Sequence, residues 1–144
     1  MNPPVVLDAD GLAALAQATP PPRLRALLHE AHTRHCELIV PTVVCAELGR
    51  NGAETAEIET FLARRADRHD RPAVRLEDTD FDLARSVGAI LHAANASIAD
   101  IVDAHVVAIC VPYGGGLVVT ADPDAIERLA AATPATHIVT RSPR

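Results

Sequence analysis

Val5-Val6-Leu7-Asp8 decides the fold: three aliphatic side chains run without interruption into a carboxylate. A strand with one wet face alternates apolar and polar residues. One covered on both faces reads as a short unbroken apolar run, the mark of a parallel sheet. The same reading extends to Leu38–Val40, Ala73–Leu76, Leu117–Thr120 and His137–Val139. Helical periods separate these runs at residues 11–18, 22–35, 42–50, 53–67, 80–94, 98–111 and 123–132. Their starts carry recognisable signals: a proline run before 22–35, Pro41-Thr42, Asp78 or Thr79, Ser97, and Asp122 before Pro123. Gly114-Gly115-Gly116 reads as a connector, and residues 1–3 and 141–144 as frayed tails. Strands alternating with helices imply an α/β fold with right-handed crossovers and a parallel sheet. No repeat or linker divides the chain, so residues 1–144 read as a single domain. Chemistry in such sheets gathers beyond the carboxyl ends of the strands, where Asp8 and Asp122 both fall.

Composition narrows the class further. Hydrophobic residues make up 49% of 144, yet only Phe61, Phe81 and Tyr113 are aromatic, so Ala, Val, Leu and Ile must fill the core. No apolar run approaches the roughly 18 residues of a membrane span, so no membrane association is expected. Cys36, Cys45 and Cys110 are odd in number and sit in core-like contexts, which points to a reduced, cytoplasmic protein. The net charge of −6 argues against a generic nucleic-acid coat protein. All 13 basic residues are arginine, however, and Arg64, Arg65, Arg68, Arg71 and Arg75 fall within twelve positions. That cluster is either a solvated helix face or a local phosphate-contacting strip.

Four acids stand where hydrophobic segments end or a buried helix runs: Asp8, Glu47, Asp103 and Asp122. A carboxylate among apolar side chains loses solvation, and folding opposes that unless something compensates. Asp100 and Asp103 share one side of helix 98–111, beside an apolar face of Ile98, Ile101, Val102, His105, Val106 and Ile109. Two acids one turn apart repel by about 0.2–0.5 kcal/mol, and a divalent ion reverses that sign. Oxygen donors without a sulfur or histidine set suit Mg²⁺ or Mn²⁺. Without metal, crowded carboxylates raise one another's pKa.

The motifs occur in a telling order: Val5-Val6-Leu7-Asp8-Ala9, Ile39-Val40-Pro41-Thr42-Val43-Val44-Cys45-Ala46-Glu47-Leu48, Asp100-Ile101-Val102-Asp103-Ala104-His105-Val106-Val107 and Val118-Val119-Thr120-Ala121-Asp122-Pro123. With this spacing, over essentially the whole chain, the sequence resembles the PIN-domain ribonucleases, and most of all their toxin (VapC-type) branch. The resemblance implies a three-layer α/β/α fold around a mostly parallel five-stranded sheet. It implies that Asp8, Glu47, Asp103 and Asp122 form a catalytic, Mg²⁺-binding quartet, with Mn²⁺ an alternative and Asp100 an extra metal-ligating acid. Thr120 would position Asp122 or a bound water. Asp10 stands where the family usually has a small polar residue. Asp124 precedes the position of the family's further acid, which is Ala125 here, so both are supporting candidates or caps of the helices that follow them. RNA is the implied substrate, hydrolysed by metal-activated water; a homodimer and a cognate antitoxin protein are the implied partners.

Other readings compete. Asp8-Ala9-Asp10-Gly11 resembles the first motif of haloacid-dehalogenase-type phosphatases, but those enzymes use a lysine and this chain has none. A catalytically silent partner-binding module is a third class. Docking faces for the implied homodimer or antitoxin would be helices 22–35 and 53–67, through Leu24, Leu27, Leu28, Ile58, Phe61 and Leu62, although these positions equally suit ordinary core. His29, His32 and Cys36, with Glu30 and His35 nearby, could line one helix face as zinc ligands, yet a single helix rarely closes a tetrahedron. His105 reads as a hydrogen-bonded core residue.

Overall fold

In the computed structural model, which describes residues 2–50, 52 and 55–144, the aliphatic runs become five strands of one all-parallel sheet in the order β3-β2-β1-β4-β5. These are β1 (Val5–Leu7), β2 (Leu38–Pro41), β3 (Val74–Glu77), β4 (Gly115–Val119) and β5 (His137–Arg141). The helices among the described residues are α1 (Ala9–Leu15), α2 (Pro22–Thr33), α3 (Thr42–Gly49), α4 (Thr55–Ala63), α5 (Phe81–Ala93), α6 (Ile101–Cys110) and α7 (Pro123–Ala130). Short 3-10 turns, Ile98–Asp100 and Val111–Tyr113, bracket α6. The fold is thus the expected α/β type, consistent with three layers. None of its helices is long and apolar enough to cross a membrane among the described residues.

The layers follow from side-chain alternation along the strands. A Cβ built on Gly116 would come within 2.5 Å of the Cys110 sulfur, which puts that face of β4 directly under α6. Leu117, the next residue, lines a groove with Leu27 and Ala31 of α2 on the opposite face. β1 and β2 are buried throughout, as unbroken apolar runs require. Val6, Leu7, Leu38, Ile39, Val40, Val106, Val118 and Val119 form the centre of the core, with Leu12, Leu24, Leu28, Ile126 and Leu129 from the helices.

Several boundaries differ from the sequence reading, each for a local reason. α2 stops at Thr33 because His35 enters the left-handed region (φ 56°) and the Cys36 amide reaches back to the Ala31 carbonyl at 2.9 Å. α5 ends at Ala93 in the same way, with Asn95 left-handed (φ 50°) and the Ala96 amide on the Leu91 carbonyl at 2.9 Å. Its N-cap is Asp80, which accepts from the Leu83 amide, and not Asp78 or Thr79. α4 ends at Ala63, and residues 53 and 54 of the expected helix lie outside the described residues. Only Gly114 (φ 74°) behaves as a connector; Gly115 and Gly116 belong to β4, where close approach excludes a side chain. Nor is the C-terminal tail frayed: Arg141 closes β5 and Pro143 is buried. Ile98 and Ile101, expected on a buried face, are 74% and 36% exposed, because the 3-10 turn carries the start of that segment out of the core. Leu24, Leu28 and Ile58, weighed as docking residues, are buried core instead.

The chain runs from β1 outward to β2 and β3, then returns to add β4 and β5 on the other side. The switch point therefore lies between β1 and β4, where Leu7 pairs with Val119. Gly11 makes the close approach there possible: a Cβ at this position would stand 2.9 Å from the Val119 carbonyl oxygen. Gly11→Ala is expected to destabilise the fold by about 1–3 kcal/mol through overpacking against backbone. Chemical denaturation would measure it, and an unchanged midpoint would refute the tight contact.

Candidate functional site

Asp8 follows β1 immediately and caps α1, its Oδ1 accepting from the Gly11 amide at 2.9 Å. Its own amide donates to the Val119 carbonyl at 3.3 Å, tying the end of β1 to the end of β4. Beyond β4 the same arrangement repeats. Asp122 caps α7, its Oδ1 accepting from the Ala125 amide at 3.3 Å, and the Thr120 hydroxyl accepts from the Asp122 amide at 3.0 Å. Thr120 thus holds the Asp122 backbone, and it is itself buried. The capping roles left open for Asp10 and Asp124 fall instead to Asp8 and Asp122; Asp10 and Asp124 sit exposed in the first turns of α1 and α7.

Electrostatics show which acids face one another. Burial pushes the Asp8 carboxyl up to about 6, against hydrogen bonds from Thr120 and Gly11, and the charges of Asp10 and Asp103 push it further. Burial likewise pushes Asp103 up to about 6, followed by the charges of Glu47, Asp122, Asp100 and Asp10. Asp103 is thus the hub: the charges of Asp10 in α1, Glu47 in α3, Asp100 in the turn before α6 and Asp122 at the start of α7 all act on it. Glu47 on α3 is half-buried, whereas Asp122 is exposed. Asp124 is not among the charges felt by Asp8 or Asp103.

Asp100, expected as an extra metal-ligating acid, has a cationic partner. Arg128 of α7 donates to its Oδ1 at 3.1 Å, so its charge is met by a guanidinium. Sequence reasoning missed this partner because residues 28 positions apart on separate helices leave no pairing signal. No such cation reaches Asp8, Asp10, Glu47, Asp103 or Asp122 among the described residues. The Gly11 amide was also missed, although a capping acid three residues ahead of it is readable in retrospect.

A divalent oxygen-seeking ion fits this donor set by its chemistry: carboxylates only, two of them held above their ordinary pKa, with a surplus of negative charge. The side chains do not form a closed cage. Among the described residues no three His, Cys, Asp or Glu groups stand close enough to hold one ion directly. Mg²⁺ does not require that, since it commonly keeps several waters and takes one or two carboxylates.

Of the zinc candidates, His32, His35 and Cys36 line one cavity, yet they form no ion-holding group among the described residues. His32 Nδ1 meets Asp67 at 3.4 Å, while His29 is exposed and Cys36 half-buried. His105 is buried, with Nδ1 2.7 Å from the Ile101 carbonyl, the core role expected of it. The arginine cluster is not a helix face. α4 ends before it, Arg75 lies in β3 and pairs with Glu77 and Glu37, and Arg71 is buried against Phe61. No protein-family model matches the chain, and none of the curated proteins matches it.

Proposed function

We propose that this chain is a divalent-metal-dependent endoribonuclease of the PIN-domain kind, acting as the toxin of a toxin–antitoxin pair. One observation carries the reading. Asp8, buried at the sheet's switch point, feels the charge of Asp103, 95 positions away in sequence, and neither acid has a cationic partner among the described residues. Structural carboxylates at such a place would normally be neutralised by arginine, as Asp100 is by Arg128. Mg²⁺ or Mn²⁺ held by these acids would supply the Lewis acidity for phosphodiester hydrolysis.

The chain's own groups do the rest. Asp8 and Asp103 are the primary oxygen donors, with Glu47 and Asp122 completing the acidic rim. The Gly11 amide holds one Asp8 oxygen, which fixes the direction of the other. Thr120 sets the backbone of Asp122 and restrains Asp8 through its hydroxyl. No imidazole is assigned as base: His105 is buried, and its Nδ1 is held by the helix backbone. With the ion bound, a water would give its proton to one of the surrounding carboxylates and attack phosphorus as the bond to the 3′ oxygen breaks, that oxygen leaving as a hydroxyl. A homodimer, a cognate antitoxin whose tail reaches the acidic rim with a basic side chain, and a cytoplasmic setting belong to the same reading and rest on the resemblance of the motifs.

Product chemistry tests it. Incubation with single-stranded RNA and Mg²⁺ is expected to yield 5′-phosphate and 3′-hydroxyl ends, with activity lost in EDTA. Cyclic phosphate ends, or cleavage unaffected by chelation, would overturn the reading. Phosphatase activity towards an aryl phosphate, lost in Asp10→Asn, would replace it with the phosphatase alternative.

A further inference from the structure

We propose that the cavity enclosed by the end of α1, α2, Phe61 and the Arg68–Arg71 turn binds a phosphodiester of single-stranded RNA, a subsite flanking the acidic centre; this rests on the nuclease reading. The cavity measures about 350 Å³ and is lined by Arg25, Arg68 and Arg71 with a single acid, Asp70. A space of this size admits one phosphate and its sugar, not a duplex.

Arg71 carries the argument. Its residue is only 7% exposed, yet no carboxylate pairs with it among the described residues, and its Nε has no hydrogen-bond partner there. A buried guanidinium without a paired carboxylate is costly, and an anion in the adjoining cavity would offset its charge. The Cζ of Arg71 lies 4.7 Å from the centre of the Phe61 ring, so stacking fixes the plane of the guanidinium and leaves its edge for hydrogen bonding. The turn also forces a second cation alongside. Arg68 and Arg71 exchange backbone hydrogen bonds of 3.1 and 3.3 Å as an isolated antiparallel bridge. Asp70 lies 3.2 Å from Arg68 and its charge also acts on Arg71, so the three groups together carry one net positive charge, which Arg25 increases. Burial, then the charge of Arg68, lowers the pKa of Arg71, as expected for a cation short of counter-charge.

Position joins this pocket to the acidic centre. Gln17 lines it and also lines an adjoining cavity of about 310 Å³, whose wall includes Asp10 and Ala121. The shared Gln17 makes the two cavities neighbours, so an RNA strand with its reacting phosphate at the carboxylates would reach the arginines past Asp10 and Glu57. The planar fork of arginine matches phosphate oxygens in pairs.

Binding measured without metal tests the subsite apart from cleavage. Fluorescence anisotropy of the full chain with a labelled single-stranded oligoribonucleotide in EDTA, across a salt series, gives affinity and salt slope. Arg25→Gln and Arg68→Gln change exposed residues and should fold normally. Each is expected to weaken binding about tenfold and to flatten the logarithmic salt slope by about 0.7. Arg71→Gln should weaken it at least as much, with circular dichroism checking its fold. Arg85→Gln, on exposed α5, should change nothing. Unchanged affinity and slope in Arg25→Gln and Arg68→Gln, or equal losses in Arg85→Gln, would overturn the proposal. So would variants that keep RNA affinity but lose affinity for a glutamate-rich peptide, since the pocket would then serve an acidic protein. Cleavage by the parent chain with Mg²⁺ alongside arginine-independent binding sinks the subsite alone. Arginine-dependent binding with no cleavage sinks the nuclease reading alone.

Discussion

Asp103→Asn is expected to reduce metal-dependent RNA cleavage by at least about 100-fold, the scale at which even outer partners of a metal site act, while leaving a protein more stable than its parent. The two halves of this result come from the same cause. Asp103 lies half-buried and faces the charges of Glu47, Asp122, Asp100 and Asp10. Its ionised form is therefore held against both desolvation and repulsion, and the neutral amide escapes both. Discounted for partial exposure, the gain is about 1 kcal/mol at neutral pH. Asp8→Asn should lose activity equally and keep its fold, because an asparagine Oδ1 can still accept the Gly11 amide and asparagine is a good N-cap. A thermal melt and an RNA-cleavage assay on each variant decide the matter. If both variants unfolded, the acids would be structural; if both still cleaved RNA, the proposed centre would be wrong. Asp100→Asn is the informative contrast, since it removes the partner of Arg128 and should cost stability without a comparable loss of cleavage.

That contrast marks where sequence could and could not lead. Strands such as Val5–Leu7 and Leu38–Pro41 were legible because burial on both faces leaves an unbroken apolar run. The position of Asp8 and Asp122 beyond β1 and β4 followed from the same pattern, since chain order in a parallel sheet fixes which strand ends lie together. Pairings across the tertiary fold were not legible. Nothing local distinguishes Asp100, which an arginine neutralises, from Asp103, which faces only acids. The arginines of residues 64–75 looked like one helix face, but a bridge at Arg68 and Arg71 and the start of β3 divide them. Glycine was misread for a related reason. Gly115 and Gly116 look like a turn by composition, whereas their lack of a side chain serves packing under Cys110 and beside His137.

Metal and pH should act on stability in opposite senses. In the unfolded chain the Asp8 and Asp103 carboxyls titrate near 3.8, and in the folded chain near 6. Between those values the folded state holds more protons than the unfolded one, so stability falls as pH rises through the interval and stays low above it. For Asp8, 5% exposed, the loss is at most about 3 kcal/mol; for the more accessible Asp103 it is smaller. The metal-free protein should accordingly withstand more denaturant near pH 5 than near pH 7.5. An ion that binds the folded state alone adds about 2.7 kcal/mol at 100 times its dissociation constant. Because that ion requires deprotonated carboxylates, its benefit should be small below the folded pKa and full above it. Saturating Mg²⁺ is thus expected to raise the denaturation midpoint near neutrality and leave it almost unmoved in acid, with cleavage rising over the same range. Asp103→Asn should blunt both responses together. A Mg²⁺ effect of equal size at both pH values, or none at either, would separate the raised carboxyls from metal binding and remove the physical basis of the nuclease centre.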